Sequence, residues 1–505
     1  VQAQEEKVDM TNVPQELVFG LDIGTTNIKA LLLERKTGRR AGLSHISYEI
    51  DLPKSGWAEC SAELWYDCCS RCIQALTSNT GITGQQIDAV AFSGQMHGLV
   101  ALDENGQQIG KAILHCDTRS QVVLDEFREG IGDRAFHDSL MNPAYPGFLA
   151  LSLLYQRRYC PEEYKRIAHV MLPKDYLLYR FTDSFVTDYS DASGTLAFDI
   201  RTGRWSMPVL EFLGLPGNCF PQICESCGLA GYLSRAAAAD TGLREGTPVF
   251  CGGGDAVMQS IGNGMLDETH GIINIGTSGQ VLFYTRELKP RKNNATNTYC
   301  GCTRDAWLSM GAIMSAGSAV RWASRILREP DLNILNEKMR QVPPGCGTTL
   351  FLPQLIGERT PYLRADLRGA WLGLSLDTTS ENMARAVIEG VSNALYRCYW
   401  ACKENGFDAE AFYVSGGGAR SELWCQILSD LFNRPMMVTA ESEQAALGAA
   451  MCAEVGIGDF CEIAEAASTC ISTPERIYMP NPAAFSIYQE NYHRYCAAVE
   501  RLLYA

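Results

Sequence analysis

The chain has 505 residues and a formal net charge of −15, and 46% of its residues are hydrophobic. This length exceeds what one hydrophobic core usually serves, so two large globular domains are expected. The acidic balance argues against a nucleic-acid partner, and no apolar stretch approaches the ~20 residues needed to cross a bilayer, which argues against a membrane partner.

The chain begins with a polar, acidic segment and then reaches its first apolar strands. Residues 1–16 are predicted to form a disordered lead-in rather than a signal peptide, so a cytoplasmic location is expected. The runs Leu17–Leu21 and Ile28–Leu33 predict the two strands of a hairpin. Between them lies Asp22-Ile23-Gly24-Thr25-Thr26. Glycine lets such a turn approach a ligand closely, and the amides of the turn can hold an anion.

The cysteines are predicted to be reduced and structural. Twenty cysteines occur in a chain with no secretion signal, where they are most simply reduced, small hydrophobic residues. Cys69 and Cys72 fall on one face of a helix predicted over Ala62–Leu76, with Ser61 as its N-cap. The pair Cys224 and Cys227 lies about 150 positions away, which is too far for the usual zinc spacing.

A glycine-bracketed loop follows the next predicted strand, Ala89–Phe92. Met96 and His97 in the loop Gly94-Gln95-Met96-His97-Gly98 are candidates for contact with a small molecule. A lone histidine is more often structural, so both interpretations stay open. Asp117 and Arg119, further along, form either a structural ion pair or a contact with a polyol, and their spacing does not decide between these.

The strand predicted at Pro248–Cys251 runs into Gly252-Gly253-Gly254-Asp255. Asp255 is the candidate general base, because a hydroxyl that attacks a phosphate needs an acceptor for its proton. The glycines leave room around this carboxylate. The alternative is that Asp255 caps a helix over Ala256–Ile261, and the two roles are compatible. We place the domain boundary here, with domains at 17–262 and 263–505.

The second half repeats the first turn 252 positions later, as Asn274-Ile275-Gly276-Thr277-Ser278. Two such turns that face one another would hold a polyphosphate from both sides. Asp22 would repel the polyphosphate unless Mg²⁺ lies between them, and the alternative is that Asp22 bonds only its own turn. No P-loop motif is present. The chain is therefore predicted to be a nucleotide-handling enzyme with two related halves.

The rest of the second half alternates helices and strands, which is typical of mixed α/β domains. A long buried helix is predicted over Glu381–Cys402 and another helix over Ser421–Phe432. Between them the strand Phe412–Ser415 leads into Gly416-Gly417-Gly418.

With these segments in hand, the chain resembles the FGGY family of carbohydrate kinases from about Val18 to about Met451. The resemblance implies an α/β fold of two actin/hexokinase-like (ribonuclease H-like) ATPase domains with a cleft between them. Six segments carry it in order: Gly20–Thr26, Gly252–Asp255, Ile275–Gly279, Gly357–Pro361, Gly416–Ser421 and Gln444–Ala450.

Further segments are similar to the xylulokinase branch, namely Ser93–Gly98, Leu172–Leu177 and Asp188–Thr195. This likeness implies phosphorylation of D-xylulose by ATP with Mg²⁺, and a homodimer is a possible assembly. It implies Asp255 as the base, Asp22 as the carboxylate near Mg²⁺ through water, and Gln95, Met96, His97 and Asp255 as sugar contacts. The implied ATP contacts are Gly24, Thr25, Thr26, Gly276, Thr277, Gly317, Gly417, Gly418, Arg420 and Asn433.

Two positions depart from the family pattern near the expected sugar pocket. Ala256 follows the catalytic Asp where the family usually has Asn, and His115-Cys116 stands where the branch often has Trp-Asn. A site that lacks a polar partner tends to change its sugar preference. Other ketoses or polyols, such as L-xylulose or ribulose, therefore stay open as substrates. The alternative from another class is a non-kinase ATPase of the same fold that binds a protein partner.

Overall fold

The computed structural model describes residues 4–5, 16–440 and 443–503. They form two seven-stranded mixed sheets with helices on their faces. Most of the predicted lead-in, residues 1–16, lies outside the described residues. Within it, Gln4–Glu5 pairs antiparallel with Ser44 and His45.

The strands of the first half are β1 (Gln4–Glu5), β2 (Leu17–Ile23), β3 (Asn27–Glu34), β4 (Arg40–Ser47), β5 (Glu59–Cys60), β6 (Ile87–Gly94), β7 (Val100–Leu102), β8 (Ala112–Ile113), β9 (His169–Met171), β10 (Val186–Asp188), β11 (Phe198–Asp199), β12 (Arg204–Trp205), β13 (Gln222–Cys224), β14 (Leu229–Tyr232) and β15 (Pro248–Gly254). Its α-helices are α1 (Ala62–Thr80), α2 (Leu124–Ile131), α3 (Asp133–Asp138), α4 (Leu149–Tyr159), α5 (Pro161–Tyr164), α6 (Pro173–Thr182), α7 (Tyr189–Ser193), α8 (Met207–Leu213), α9 (Arg235–Thr241) and α10 (Asp255–Gly262), with 3₁₀ helices at Arg119–Val123 and Gly217–Cys219.

The strands of the second half are β16 (His270–Ile275), β17 (Gly279–Thr285), β18 (Asn297–Cys300), β19 (Trp307–Ile313), β20 (Leu350–Leu352), β21 (Ala370–Leu372), β22 (Ala411–Ser415), β23 (Met436–Val438) and β24 (Arg476–Tyr478). Its α-helices are α11 (Gly317–Ile326), α12 (Leu332–Arg340), α13 (Ser380–Glu404), α14 (Glu422–Phe432), α15 (Gln444–Gly456), α16 (Ile463–Cys470) and α17 (Pro482–Leu503), with a 3₁₀ helix at Gly417–Arg420.

The two large sheets have the same topology. The first has the order β1-β4-β3-β2-β6-β15-β14, and the second has the order β18-β19-β17-β16-β22-β23-β24. In each sheet a central hairpin is followed by two strands parallel to it and then by an antiparallel edge strand. This match confirms the two related halves that the repeated glycine turns predicted.

The predicted elements are present, with one difference in detail. The predicted hairpin is β2 and β3, and the helices predicted from residues 62 and 381 are α1 and α13. Ser61 holds the N-cap position of α1, but its side chain makes no capping hydrogen bond. All twenty cysteines are free, and Cys69 and Cys72 are buried as predicted.

Each sheet has its own core on one face. Apolar side chains of the first sheet pack against α1, α6 and α9, and those of the second sheet pack against α11, α13, α14 and α17. Helices α2, α3, α4, α5 and α8, which lie between β8 and β13 in the chain, add a lobe with its own apolar cluster on the first half. No helix among the described residues is long and apolar enough to cross a membrane.

Two helices join the halves through close backbone contact. Helix α15 belongs to the second half by chain position, yet it packs on β2 and β6 of the first sheet and against α10. A Cβ added at Gly448 would lie 2.1 Å from the Met258 carbonyl oxygen, and one added at Gly262 would lie 1.9 Å from that of Gln444. Only glycine permits this approach, and the apolar cluster around it contains strands of both sheets.

Candidate active site

The register of three parallel strands brings the predicted catalytic residues together. Asp22 at the end of β2 lies opposite Ser93 of β6, and Gly253 of β15 lies opposite the same Ser93. The carboxyl ends of parallel strands meet at one edge of a sheet, where ligand sites of α/β folds form. Asp22, the loop that follows β6, and Asp255 at the end of β15 therefore share this edge.

Asp22 is buried and hydrogen-bonded. Ser93 Oγ donates to its Oδ1 at 2.8 Å. Burial raises the pKa of Asp22, and the charge of Lys29 lowers it in part. Lys29 in turn pairs with Glu443 at 2.6 Å. A buried carboxylate whose charge is only partly compensated is a suitable ligand for a cation.

Asp255 begins α10 and is half-buried at the sheet edge. Gly254 holds the N-cap position, so Asp255 lies in the first turn of the helix rather than capping it. Burial, with the nearby charge of Asp22, raises the pKa of Asp255 from 3.8 to about 7. A carboxyl with a pKa near neutrality can take up a proton during a reaction and release it afterwards, as a general base must.

Met96 lies against the glycine that precedes Asp255, and His97 is the next residue of the same loop. The Met96 side chain packs against Gly254, where an added Cβ would lie 2.7 Å from Met96 Cγ. His97 has a φ of 74°, an uncommon conformation for a residue other than glycine and one that often marks functional sites. The histidine ring packs against Phe148, with ring centroids 4.2 Å apart and ring planes tilted by 39°.

The hydrogen bonds of His97 define its proton positions. Nδ1 lies 2.6 Å from the Gly194 carbonyl oxygen, which can only accept, so Nδ1 carries the proton. Burial, with the charge of Arg359 adding to it, lowers the pKa of His97 to about 3, so the ring is neutral near pH 7. Nε2 is then an acceptor, and it lies 3.4 Å from the hydroxyl of Tyr299.

Gln95 has polar atoms that no other described side chain or backbone group engages. Its side chain is 1% exposed, and neither Oε1 nor Nε2 has a hydrogen-bond partner within the described part of the chain. Its backbone N–H donates to the Ile23 carbonyl at 2.8 Å, which ties the loop to β2. A buried amide without partners is rare in folded proteins and fits a site for a polar ligand.

The second half supplies side chains to this pocket that the sequence did not single out. Tyr299 in β18 reaches His97, and the guanidinium of Arg359 lies 5.2 Å from the ring centroid of Tyr145. Burial, together with Arg359, lowers the pKa of His115 to about 4. Arg359 belongs to one of the family-like segments, but Tyr299 lies in no motif, and no local pattern identifies it.

Asp117 and Arg119 form a structural ion pair. Three contacts join them, from 2.7 to 3.0 Å, and Arg119 also pairs with Glu59 at 2.8 Å. The Arg119 guanidinium stacks on the Trp57 ring at 3.6 Å. These contacts favour the structural alternative over contact with a polyol.

The two glycine turns adopt the predicted strand-turn-strand form. In the first, Gly24 N–H donates to the Asn27 carbonyl at 2.9 Å, Thr25 is half-buried and Thr26 is exposed. In the second, Gly317 N–H donates to the Gly276 carbonyl at 2.9 Å, which joins the start of α11 to the turn.

Thr277 is exposed and receives several contacts from α11. Its carbonyl accepts from Ser318 Oγ at 2.8 Å, and its hydroxyl accepts from Arg321 Nη2 at 3.2 Å. Gly276, Thr277 and Gly317 therefore lie together.

The third glycine segment joins this group. A Cβ at Gly418 would lie 2.5 Å from Ile275 Cγ2, so the 3₁₀ helix that carries Gly417 and Arg420 packs beside the second turn. Arg420 is exposed. Asn433, with a φ of 51°, is the C-cap of the 11-residue helix α14, and its contact with ATP stays a prediction.

No preformed cluster of three or more His, Cys, Asp or Glu side chains within residues 16–440 and 443–503 has the arrangement to hold a metal ion. Magnesium usually takes only one or two protein carboxylates and completes its shell with phosphate oxygens and water. Asp22 fits that pattern as a single buried carboxylate beside a phosphate-type turn.

Models of known families match both halves. The N-terminal domain of the FGGY family of carbohydrate kinases matches residues 17–262, and the C-terminal domain of that family matches residues 271–457. The chain belongs to the FGGY family. It is a sugar kinase, and its two domains have the actin/hexokinase-like fold predicted from the sequence.

Several relatives of this FGGY kinase are named xylulose kinase. Xylulose kinases of Bacillus subtilis and Staphylococcus xylosus are 31% and 30% identical to it. The alignments cover 91% and 95% of this chain and 92% and 98% of theirs. The crystal structure of a xyloylose kinase from Brucella ovis is 32% identical, with a TM-score of 0.88 over 96% of this chain and 99% of that one. These matches confirm the likeness to the xylulokinase branch.

Proposed function

We propose that this kinase transfers the terminal phosphate of ATP to a ketopentose, with D-xylulose first and D-xylulose 5-phosphate as the product. One observation carries the proposal: Asp255, with a pKa raised to about 7, directly follows Gly254, against which Met96 packs, at the sheet edge that also holds Asp22. A base, a polar pocket and a phosphate turn are then in one place, as phosphoryl transfer to a hydroxyl requires.

The sugar would occupy the pocket formed by Gln95, Met96 and His97. Gln95 offers a donor and an acceptor, neutral His97 offers an acceptor at Nε2, and Met96 offers an apolar wall. Tyr299 and Arg359 of the second half add a hydroxyl and a cation to the opposite side. This alternation of donors and acceptors suits a polyhydroxylated substrate.

The polyphosphate would lie between the two turns. Gly24, Thr25 and Thr26 face it from the first half, and Gly276, Thr277 and Gly317 from the second, with Gly417, Gly418 and Arg420 towards the adenosine. Mg²⁺, when bound, would supply positive charge at the phosphate oxygens, and Asp22 is the side chain that would hold it through water.

The chemical step needs few protein groups. The sugar oxygen forms a bond to the terminal phosphorus, the bond from that phosphorus to the ADP oxygen breaks, and Asp255 receives the hydroxyl proton. Closure of the two halves around the substrates would keep water out, which would limit wasteful hydrolysis of ATP.

The first test is ATP consumption with Mg²⁺ across a panel of ketoses, aldoses and polyols. Strong stimulation by D-xylulose supports the proposal. No stimulation by any sugar contradicts it. A larger response to another ketose or polyol, such as L-xylulose or ribulose, keeps the kinase and changes the substrate.

The second test is Asp255→Asn. We expect kcat to fall about 10²–10⁴-fold, the usual size for a lost general base. Binding of ATP, measured by calorimetry, should persist. Near-normal turnover would remove Asp255 from the role of base.

Two observations favour keeping a second substrate in view. Ala256 is 6% exposed and belongs to the same apolar cluster as Met96, so an apolar methyl follows Asp255 where an amide could meet a hydroxyl. His115, held neutral by burial, has no hydrogen-bond partner at Nδ1 in the described chain. Replacing Ala256 by Asn and comparing kcat/KM across pentuloses tests whether this position sets the preference.

A further inference from the structure

A cluster of buried charged side chains lies behind Asp255 and has no part in the proposed transfer. Lys174, near the start of α6, places Nζ 2.9 Å from Asp175, 3.3 Å from Asp188 and 3.7 Å from Asp191. All four side chains are fully buried. Burying charged groups costs free energy that ion pairs often fail to repay, so stability alone does not account for the cluster.

A short chain of hydrogen bonds connects this cluster to the catalytic turn. Ser190 Oγ donates to Asp188 Oδ2 at 2.5 Å, and the backbone N–H of Gly254 donates to Ser190 Oγ at 2.9 Å. Because the hydroxyl proton is committed to the carboxylate, a lone pair of Ser190 Oγ faces Gly254. Gly254 directly precedes Asp255, so these hydrogen bonds end at the Gly253–Gly254 peptide, one peptide bond before the proposed base.

The carboxylate in this chain is held from several sides. Asp188 Oδ2 also accepts from Ser226 Oγ at 3.0 Å and from the Ser190 backbone N–H at 2.9 Å, while Lys174 engages Oδ1. Hydrogen bonds to a charged group are short and strong, which fixes the orientation of Asp188.

The glycines of the catalytic turn are required by these contacts. A Cβ at Gly253 would lie 2.6 Å from Ser190 Oγ, and one at Gly254 would lie 2.7 Å from Met96 Cγ. The turn is therefore clamped between Ser190 on one side and the sugar-pocket loop on the other.

We propose that Lys174, Asp188 and Ser190 are positioning residues for Asp255. Lys174 balances the charge of Asp188, Asp188 orients the Ser190 hydroxyl, and Ser190 holds the Gly254 amide so that the Asp255 carboxylate faces the sugar. This inference rests on the proposed role of Asp255 as base. Without the hydrogen bond between Ser190 and Gly254, the Asp255 carboxylate is misplaced. A displacement of about 1 Å can lower the rate ~10²-fold.

The test is a double-mutant cycle between Ser190→Ala and Asp255→Asn. We expect Ser190→Ala to lower kcat about 10–100-fold with little change in the KM for ATP. In the Asp255→Asn background the same change should have no further effect, because residues that act as a unit are not additive. If the two losses multiply instead, Ser190 does not act through Asp255 and the inference is overturned.

Ser392→Ala is the matched control. Ser392 is a fully buried helical serine of the second half, and its Oγ donates to the Ile388 carbonyl and accepts from Trp424 Nε1. The control should lower the melting temperature with kcat unchanged. A Ser190→Ala enzyme whose kcat also stays unchanged would overturn the inference.

Asp188→Asn covers the case in which Ser190→Ala does not fold. Asparagine caps helices as well as aspartate does, so the α7 cap is kept while the charge that orients Ser190 is lost. We expect a loss of kcat that disappears in the Asp255→Asn background, and an additive loss would contradict the inference. Near-normal turnover of Asp255→Asn alone would refute the proposed base itself, whichever way the Asp188 and Ser190 variants behave.

Discussion

Asp255 is held where its charged form is costly. Its pKa of about 7 lies above the ordinary 3.8 because the carboxyl is buried and faces the charge of Asp22. The folded state therefore binds the proton more tightly than the unfolded state between about pH 4 and pH 7. The stabilisation that protonated Asp255 gives the folded state is complete below that window, and it is lost as the pH rises through 7.

Because the charged carboxylate of Asp255 destabilises the folded protein, we predict that Asp255→Asn stabilises it while abolishing most activity. At pH 8.5 the variant should melt a few degrees higher than the wild type, because each pKa unit corresponds to ~1.4 kcal/mol. At pH 4.5 the gain should be absent. Thermal unfolding at both pH values checks this, with the exposed Asp125→Asn as control. An equal gain at both pH values would contradict the burial argument.

Asp22 and Asp255 are coupled through charge, which gives a second prediction. Asp22→Asn removes a like charge, so the pKa of Asp255 should fall. The acidic limb of the plot of kcat/KM against pH, where activity rises as Asp255 loses its proton, should move to lower pH. The variant is expected to be slower overall if Asp22 holds Mg²⁺. A limb that stays in place, in a variant that still turns over, would show that Asp255 does not control it.

At the scale of elements, the crossing of α10 and α15 depends on glycine. Replacing a helical glycine by alanine normally stabilises a helix by ~1 kcal/mol. At Gly448 the added Cβ would meet the Met258 carbonyl oxygen at 2.1 Å, so the two helices would have to separate.

We therefore expect Gly448→Ala to destabilise the protein by about 1–3 kcal/mol, the usual cost of overpacking. Gly217→Ala is the control, because its added Cβ would meet nothing closer than Leu210 Cδ2 at 3.9 Å. Denaturant unfolding of both variants measures the difference. A neutral or stabilising Gly448→Ala would mean that the helices can shift apart at no cost.

Elements and local site chemistry were predictable because their information is contiguous in the chain. The strand before the first glycine turn has seven residues, and the strand after it has eight. Both lie directly beside the turn in the sequence. Asp255 was predicted from the three glycines that precede it and from the strand before those glycines. The repetition of the glycine-turn motif predicted the second turn and the duplicated sheet topology.

The rest of the site depends on contacts that local patterns do not contain. Tyr299 meets His97 across 202 positions of sequence, and its own strand has no distinguishing motif. The hydrogen bond from the Gly254 N–H to Ser190 Oγ joins residues that are 64 positions apart in the sequence. Asn433, predicted to lie near the nucleotide, is the C-cap of α14, and its role as an ATP contact stays a prediction.

At the scale of the whole molecule, one buried asparagine ties the inserted lobe of the first half to β18. Asn142 Nδ2 donates to the Thr298 carbonyl at 2.9 Å, and its Oδ1 accepts from Asn297 Nδ2 at 2.8 Å and from the Thr298 N–H at 3.2 Å. The side chain is fully buried. These bonds end next to Tyr299, so the same contact that joins the halves aligns a wall of the proposed sugar pocket.

Asn142→Ala should therefore affect sugar binding as well as stability. The variant removes the partners that Asn142 supplies to the Thr298 carbonyl and to the Asn297 side chain, at a cost of ~1–3 kcal/mol each, and frees Tyr299 to move away from His97. We expect the KM for the sugar to rise about tenfold, which corresponds to ~1.4 kcal/mol of lost binding, while the KM for ATP stays unchanged.

Asn405→Ala separates this effect from simple destabilisation. Asn405 is also buried, and its Oδ1 accepts from the N–H groups of Lys292 and Asn293, so its bonds lie within the second half. Its loss should lower the melting temperature by a similar amount and leave the KM for the sugar unchanged. If both variants change that KM equally, the pocket responds to overall stability. If only Asn142→Ala does, the junction between the halves sets the geometry of the sugar pocket.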